Sequence, residues 1–277
     1  MGKFVARRGL EDIPRAMSCL RELTLRFSPE FAIRPFIDQH PDIVFPFLDR
    51  WTLDKSAHVR RLVSEGSRPK LPWGLRLQAL VRDPSPTLPL LRKLQDDESS
   101  YVRRSVANHL NDIAKDHPDQ VATWVRTHLD GASDNRVQLL RHTTRHLIKQ
   151  GHAPMLSAWS LDAGFTGKVK LRIEKKEVHV GASLPFVVEF KSSSTTEQKL
   201  VIDYAIYYRK ANGALAAKIF KGWKLTLASG DKRTLSKSHS FKVVTTRTLY
   251  PGTHRIEVQV NGQRFAGPNF ELLPAAE

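Results

Sequence analysis

Two stretches of this sequence, Asp54–Glu65 (DKSAHVRRLVSE) and Asp97–Asn108 (DESSYVRRSVAN), are nearly the same. Each begins with an acidic residue and runs through Val-Arg-Arg into apolar residues at helical spacing. A repeat period of roughly 40 to 47 residues is typical of helix pairs that stack on one another, because a single pair cannot bury its apolar face. The repeat therefore predicts an α-solenoid in the first part of the chain.

The apolar residues keep this helical spacing from Gly9 to about Leu161, in blocks separated by Pro, Asp, Ser and Gly. We interpret the blocks as HEAT-like pairs of helices. The first helices are predicted at 10–27, 41–53, 84–95 and 117–129, the second helices at 29–40, 56–66, 98–115 and 133–150, and a short closing segment at 152–160.

The spacing changes after the glycines at 164 and 167, where apolar residues alternate as in Val169, Leu171 and Ile173. About seven such runs, separated by Gly, Asn and Ser, predict short antiparallel strands and favour an immunoglobulin-like β-sandwich. The sequence thus predicts an α-solenoid of HEAT-like helical repeats over 1–164, followed by an immunoglobulin-like antiparallel β-sandwich over 165–277.

Positive charge dominates the composition, since 44 Lys and Arg residues stand against 28 Asp and Glu residues and give a formal net charge of +16. Both predicted domains are net basic. Such an excess favours polyanions, because binding releases their condensed counterions. Nucleic acid is therefore the expected partner, and an anionic membrane surface is the alternative. The apolar segments are too short for a membrane span or a secretory signal, which predicts a cytoplasmic protein.

Motifs for several other kinds of chemistry are missing from the sequence. Cys19 is the only cysteine, which excludes an intrachain disulfide or a cysteine zinc site. His142 and His146 share a predicted helix face but have no third metal ligand nearby. Neither a glycine-rich phosphate loop nor a G-x-S-x-G elbow occurs. We therefore expect no metal and no cofactor.

Helix wheels place Val102, Val106 and Leu110 on the buried face of the 98–115 helix. The opposite, solvent-facing side of the second helices then forms a basic track with embedded carboxylates. Carboxylates repel phosphate, so they suggest that something cationic is met there, although ion pairs one turn apart explain them as well. The predicted members of the track are Arg61, Glu65, Arg104, Asn108, Asn111, Asp112, Lys115, Gln138, Arg141, His142, Arg145 and Lys149.

Trp73 lies in a proline-rich loop, Arg68–Gly74 (RPKLPWG). Prolines restrict such a loop and hold an aromatic ring rigidly, which suits stacking on a base or on a cation. A ring that fills the core between two repeats is an equally good interpretation, and the spacing does not decide between them.

Three segments, Phe27–Ile37, Ser64–Gly74 and Arg82–Pro118, resemble the AlkC branch of the bacterial HEAT-like DNA alkylation-repair glycosylases. Nearly the whole chain is similar to this family, in which an immunoglobulin-like domain also follows the repeats. The family has further helices before the point equivalent to Met1, so the chain resembles an N-terminally shortened member. The resemblance implies a monofunctional, cofactor-free, nucleoid-associated glycosylase that excises cationic bases such as 3-methyladenine and 3-methylcytosine from double-stranded DNA in base excision repair.

The resemblance also implies roles for individual residues. Asp112 matches the catalytic aspartate, Glu65 and Glu30 match acidic residues of the lesion site, and Trp73 matches an aromatic residue beside it. An alkylated base is already a cationic leaving group, so the reaction needs negative charge near the sugar and a carboxylate that orients water. Arg61 and Asn108 are expected at the lesion. The protein is expected to act as a monomer. The residues expected to bind DNA are Arg60, Arg68, Lys70, Arg104, Lys115, Arg141, Arg145, Lys149, Lys168, Lys170 and Arg172.

Two other functions stay open on the sequence. One is a non-catalytic HEAT-repeat scaffold that binds nucleic acid, with carboxylates that only balance charge. The other is a solenoid that binds an acidic protein.

Overall fold

The computed structural model describes residues 2–161, 164–245 and 247–275. The chain divides into two compact units, Met1–Leu147 and Ile148–Glu277, called here the helical unit and the strand unit. The division falls earlier than the change of hydrophobic period near residue 165. Its physical reason is close packing within the strand unit, where Gly262 approaches the backbone of Gly151 and the side chain of Leu156.

The helices follow the predicted pairs with two additions and several shorter ends. A 3-10 turn at Ser85–Thr87 replaces the start of the predicted 84–95 helix, because prolines interrupt it. The short helices α1 and α6 were not predicted, since they contain too few residues for a helical period. The helices are α1 Gly2–Arg8, α2 Ile13–Thr24, α3 Arg34–Gln39, α4 Pro41–Trp51, α5 Ala57–Gly66, α6 Gln78–Arg82, α7 Leu88–Leu94, α8 Ser100–Ile113, α9 Pro118–Leu129, α10 Asp134–Gln150 and α11 Ala153–Ala158.

The repeated sequence builds the same turn before α5 and α8. Asp54 Oδ1 accepts a hydrogen bond from the Ser56 amide at 2.8 Å, and Asp97 Oδ1 accepts one from the Ser99 amide at 2.9 Å. These bonds resemble the capping of helix N-termini by acidic side chains. The acidic start of each repeat therefore fixes the entry into its second helix.

The first arginine of each Val-Arg-Arg motif ties this turn to its helix. Arg60 Nη1 donates to the carbonyls of Asp54 and Lys55, and Arg103 Nη1 donates to the carbonyls of Asp97 and Glu98. Arg60 Nε also donates to Asp97 Oδ2 at 2.6 Å, which joins one repeat to the next. Arg60 is buried in this arrangement. The guanidinium of Arg60 is therefore committed to the scaffold, which leaves it little capacity for the DNA contact expected from the sequence.

The apolar stripe predicted for α8 is buried, and so is the equivalent stripe of its repeat partner α5. Val59, Val63, Val102 and Val106 are fully buried, and α5 packs on α8. Burial of each such side chain stabilises the fold by about 1.5–3 kcal/mol. The hydrophobic period thus fixes which side of each helix faces the core.

The strand unit is an immunoglobulin-like sandwich of two sheets, β1-β3-β6 and β2-β9-β7-β4-β5, with β8 paired to β7. The β2–β9 pair is parallel, whereas the other pairs are antiparallel as predicted. The three-residue strands β2 and β8 are too short to show alternation in the sequence. The strands are β1 Gly167–Ile173, β2 Glu177–His179, β3 Ser183–Ser192, β4 Gln198–Arg209, β5 Leu215–Leu227, β6 Lys232–Ser240, β7 Gly252–Val260, β8 Gln263–Phe265 and β9 Asn269–Leu273.

A histidine in the core of the strand unit has both of its ring nitrogens hydrogen-bonded. His239 is buried among aromatic rings, with Nδ1 3.0 Å from the Tyr204 hydroxyl and Nε2 2.8 Å from the Tyr208 hydroxyl. Burial, with the charges of Arg247 and Lys218, lowers the pKa of His239 to about 4. Its ring is therefore neutral at physiological pH and serves the packing of the sandwich.

Candidate active site

Two arginines gather the three predicted carboxylates in the helical unit. Arg68 donates from Nε to Asp112 Oδ2 at 2.8 Å and from Nη1 to Glu65 Oε1 at 2.7 Å. Arg61 lies 3.8 Å from Glu30 Oε2 and 3.8 Å from Glu65 Oε2. Residues that are far apart in the sequence thus form one cluster, which we call the carboxylate cluster: Glu30, Arg61, Glu65, Arg68 and Asp112.

Asp112 does not face solvent, contrary to the helix-wheel prediction. Only 1% of its side chain is exposed, because Arg68, in the segment after α5, lies against this side of α8. Its second oxygen, Oδ1, accepts a hydrogen bond from Lys115 Nζ at 2.8 Å. Both oxygens of Asp112 are therefore held by cations.

Glu65 is buried between α5 and α8. Its Oε2 accepts a hydrogen bond from Ser105 Oγ at 2.7 Å, while Oε1 is held by Arg68. The sequence reasoning missed Ser105. The clue to its role was its position on the side of α8 that faces α5. The two contacts fix both oxygens of this carboxylate.

Arg68 was expected to bind DNA, but the structure buries it between Glu65 and Asp112. Burial lowers the pKa of Arg68, yet the hydrogen bonds and charges of Asp112 and Glu65 outweigh this effect and leave its pKa above the usual value. A guanidinium bound in this way orients carboxylates rather than phosphate.

Glu30 has a carboxylate oxygen that accepts no hydrogen bond within the described residues. This atom, Oε2, is buried. Leaving a buried acceptor unpaired costs about 1–3 kcal/mol. Such an atom, next to two other carboxylates, is available to a ligand or to water.

Arg34 holds the loop that carries Trp73. Its guanidinium is fully buried and donates to the carbonyls of Gly66 at 2.8 Å and Leu75 at 2.5 Å. Burial, with the charge of Arg68, lowers the pKa of Arg34 to about 10. Sequence reasoning missed this residue, because nothing local distinguishes it from a surface arginine.

The same loop presents Trp73 to solvent. The residue is 99% exposed and has a φ of 66°, which lies in the left-handed region that residues other than glycine rarely adopt. The alternative in which this ring fills the core is therefore wrong. The ring is therefore accessible to a partner, as the stacking role suggested by the sequence requires.

His109 is a second buried group that the sequence reasoning missed. Its Nδ1 donates to the Ser64 carbonyl at 2.9 Å, and burial lowers its pKa to about 4. The ring is neutral, and its Nε2 has no hydrogen-bond partner within the described residues. A neutral, buried ring here adds packing without adding positive charge beside Asp112.

This burial predicts that acid destabilises the helical unit. The folded pKa of about 4 lies below the usual value of 6.5, so between these pH values the unfolded state binds a proton that the folded state does not. The free energy of unfolding should fall on acidification by up to about 1.4 kcal/mol per pH unit. His109→Asn, which keeps a donor for Ser64, should flatten this dependence in denaturant titrations at pH 7 and pH 5. His146→Asn, at an exposed position of α10, is the control, and an unchanged slope in His109→Asn would contradict the assignment.

The other residues expected at the lesion or on DNA differ in their surroundings. Lys70 is paired with Asp116 at 2.7 Å, and Arg172 is paired with Glu189. Asn108 bonds to His142 at 3.0 Å and to none of the carboxylates of the cluster. Lys149 is half-buried in the strand unit, and it donates to the Ile219 carbonyl. The exposed cations are Arg104, Lys115, Arg141, Arg145, Lys168, Lys170 and Arg172.

The described residues contain neither a metal-binding cluster nor a membrane-spanning helix. Over 2–161, 164–245 and 247–275, no group of three or more His, Cys, Asp or Glu side chains is arranged to hold a metal ion. None of the helices in this same part of the chain combines the length and the apolar character that crossing a bilayer requires.

Comparison with known proteins places this geometry in a family. Residues 168–274 match the family model described as "Uncharacterised protein YhaZ, C-terminal Ig-like domain". The chain is 38% identical over 265 residues to the uncharacterized protein YhaZ of Bacillus subtilis, covering 94% of this chain and 72% of YhaZ. It is also 38% identical, with a TM-score of 0.91, to Pseudomonas fluorescens alkylpurine DNA glycosylase AlkC bound to DNA containing an abasic site analog, covering 98% of this chain and 76% of that one. Identity at this level over nearly the whole chain shows that the protein belongs to the family of AlkC and YhaZ.

Proposed function

We propose that this protein is a DNA glycosylase that excises cationic N-alkylated bases, with 3-methyladenine and 3-methylcytosine as the substrate class, from double-stranded DNA at the nucleoid. The observation that carries the proposal is the carboxylate cluster itself, held within a chain of net charge +16. The likeness to AlkC, an alkylpurine DNA glycosylase, supports it.

Hydrolysis of the bond from C1′ to an alkylated base requires from the enzyme mainly a negative charge and an oriented water molecule. Alkylation at a ring nitrogen gives the base a positive charge, so the bond from C1′ to the base breaks with its electron pair going to the base. Negative charge near C1′ stabilises the oxocarbenium character that develops, and a carboxylate accepts a proton from the attacking water. The products are the neutral free base and an abasic sugar, and no metal is needed for this step.

The contacts of Asp112 give a route by which DNA would activate the site. Lys115 Nζ holds Asp112 Oδ1, yet its own side chain is 45% exposed. A DNA phosphate near Lys115 would compete for the ammonium group, because Lys side chains bind phosphate as mobile point charges. Transfer of Lys115 to phosphate frees Oδ1 while Arg68 keeps the carboxylate in place.

An excision assay tests the proposal. Duplex DNA methylated with a simple alkylating agent is incubated with excess protein, and released bases are separated by chromatography. We expect release of the methylated bases that are cationic within DNA, and no release of normal bases. Tight binding without release would instead favour the non-catalytic scaffold.

Trp73 should contribute to recognition of the lesion without stabilising the fold. Cation–π contact with the charged base is worth about 0.5–2 kcal/mol, so Trp73→Gly should lower excision at limiting enzyme by roughly 2- to 30-fold. Because glycine relieves the positive φ, the melting temperature should stay the same or rise. Trp73→Phe, which keeps a ring, is the control. A melting temperature that falls by more than a few degrees would show that the ring has a structural role.

Lys168 and Lys170 should bind phosphate through the exposed face of β1. Each phosphate contact contributes about 0.9 to the slope of log affinity against log salt, so replacing both by Gln should make the slope shallower by about 1.8. Fluorescence anisotropy over a range of salt concentrations measures it. The control is the pair Lys232→Gln and Lys242→Gln, which are exposed elsewhere in the strand unit. Equal slopes for the two double variants would mean that these contacts are not specific to β1.

A further inference from the structure

A cleft lies next to the carboxylate cluster in the helical unit. It has a volume of about 240 Å³, and we call it the aromatic cleft after its lining, which includes Leu25, Arg26, Phe27, Ser28, His58 and Tyr101. This volume lies below the roughly 300–1000 Å³ of pockets that take drug-sized ligands. It suits one flat ring system.

The rings that line the cleft are unusually exposed for aromatic side chains. Phe27 is 48% exposed and Tyr101 is 43% exposed. Tyr101 is braced by His58, whose ring packs edge to face against it with the ring centroids 5.8 Å apart. Exposed rings grouped around a concave surface mark a binding site rather than ordinary surface.

Arg26 adds a cation to this surface. Its side chain is exposed and makes no hydrogen bond or ion pair with another residue in 2–161, 164–245 or 247–275. Aromatic faces together with an unengaged arginine form the surface on which proteins stack unpaired nucleobases while holding the adjacent phosphate.

Arg61 joins the aromatic cleft to the carboxylate cluster. Its Nη1 donates to Ser28 Oγ at 2.6 Å, and its guanidinium lies 4.8 Å from the centroid of the Tyr101 ring. The same guanidinium is 3.8 Å from Glu30 and from Glu65. A group bound in the cleft is therefore one residue away from the carboxylates.

We propose that the aromatic cleft binds an unpaired nucleobase of the damaged duplex, which stacks on Phe27 and Tyr101 while Arg26 contacts a flanking phosphate. This inference rests on the proposed function, since it needs damaged DNA at the carboxylate cluster. Excision leaves an abasic sugar, so the base opposite it has lost its pairing partner. That unpaired base is the occupant.

The experiment uses a fluorescent base and does not depend on cleavage. Duplexes with a stable abasic analogue carry 2-aminopurine in turn opposite the analogue and at each flanking position. With the full chain, we expect a marked fluorescence change at the position opposite the analogue, and a change confined to a flanking position would overturn the assignment of the occupant. Phe27→Ala and Tyr101→Ala should remove it and weaken binding of this DNA by roughly 5- to 100-fold, while affinity for an intact duplex changes by less than twofold.

Matched variants separate stacking from other effects. Tyr101→Phe keeps the ring and should keep the signal, and Leu53→Ala, another exposed apolar site in the helical unit, should not alter it. Phe27→Leu keeps apolar volume without a π face, so full retention of the signal there would overturn the proposal in favour of plain apolar packing. Circular dichroism checks that each variant is folded, as expected for exposed positions.

The outcomes also distinguish this inference from the proposed function. A parent protein that excises methylated bases but changes 2-aminopurine fluorescence at no position would overturn the cleft and leave the glycosylase proposal intact. A fluorescence change that depends on Phe27 and Tyr101, in a protein that releases no base, would support the cleft and overturn the glycosylase.

Discussion

Replacing Asp112 by Asn should lower the single-turnover rate of base excision by roughly 10²- to 10⁴-fold at saturating enzyme. The substitution keeps the shape of the side chain but removes the negative charge that would face the developing cation at C1′. Affinity for DNA should not fall, since the substitution removes no phosphate contact and weakens the hold of Asp112 on Lys115. The measurement is release of methylated base from duplex DNA under enzyme excess.

The burial of Asp112 makes a stability measurement part of this test. Asn leaves Arg68 and Lys115 without the charge that they now share, so we expect a loss of about 1.5–3 kcal/mol. Rates are therefore compared at a temperature where both proteins are folded. Asp116→Asn, which removes an exposed carboxylate paired with Lys70, is the matched control. An Asp112→Asn rate within twofold of the parent would remove Asp112 from the reaction.

Replacing Arg68 by Met should have the largest effect on stability. The variant leaves Glu65 and Asp112 buried without the cation that bridges them, and breaking a buried ion pair in this way costs about 3–5 kcal/mol. For a unit of this size, the melting temperature of the helical unit should fall by roughly 10 °C. Circular dichroism at a helix-sensitive wavelength follows the transition.

A double variant shows whether the bridge is the cause. The variant Arg68→Met, Asp112→Asn removes the cation and one of its anions together. Its loss in the free energy of unfolding should therefore be smaller than the sum of the losses in the two single variants. Arg68→Lys keeps the charge but cannot reach both carboxylates with a planar fork, so it should restore only part of the stability. Additive losses would mean that Arg68 and Asp112 stabilise the fold independently.

The fold could largely be predicted from the sequence because its signals are local. The helical stripe of Val102 and Val106 and the alternation of Val169 and Leu171 depend only on residues a few positions apart. Shorter elements escaped prediction, since α6 and β8 contain less than two periods of their own pattern. The predicted site residues Glu30, Glu65 and Asp112 do come together, but which groups hold them was not foreseen.

By itself, the sequence determined the repeat, the change from helical to strand spacing, and the positive charge, because each is a property of neighbouring residues or of composition. The burial of Arg60, Arg68 and Asp112 was decided only by the tertiary structure. A helix wheel predicts a single buried face, whereas α8 is covered on one side by α5 and on another by the segment after α5, which carries Arg68. The exposure of Trp73 was decided in the same way. The hydrogen bonds of Arg34 to two distant carbonyls fix the loop that turns this ring toward solvent, and contacts between residues so far apart in the chain leave no local pattern.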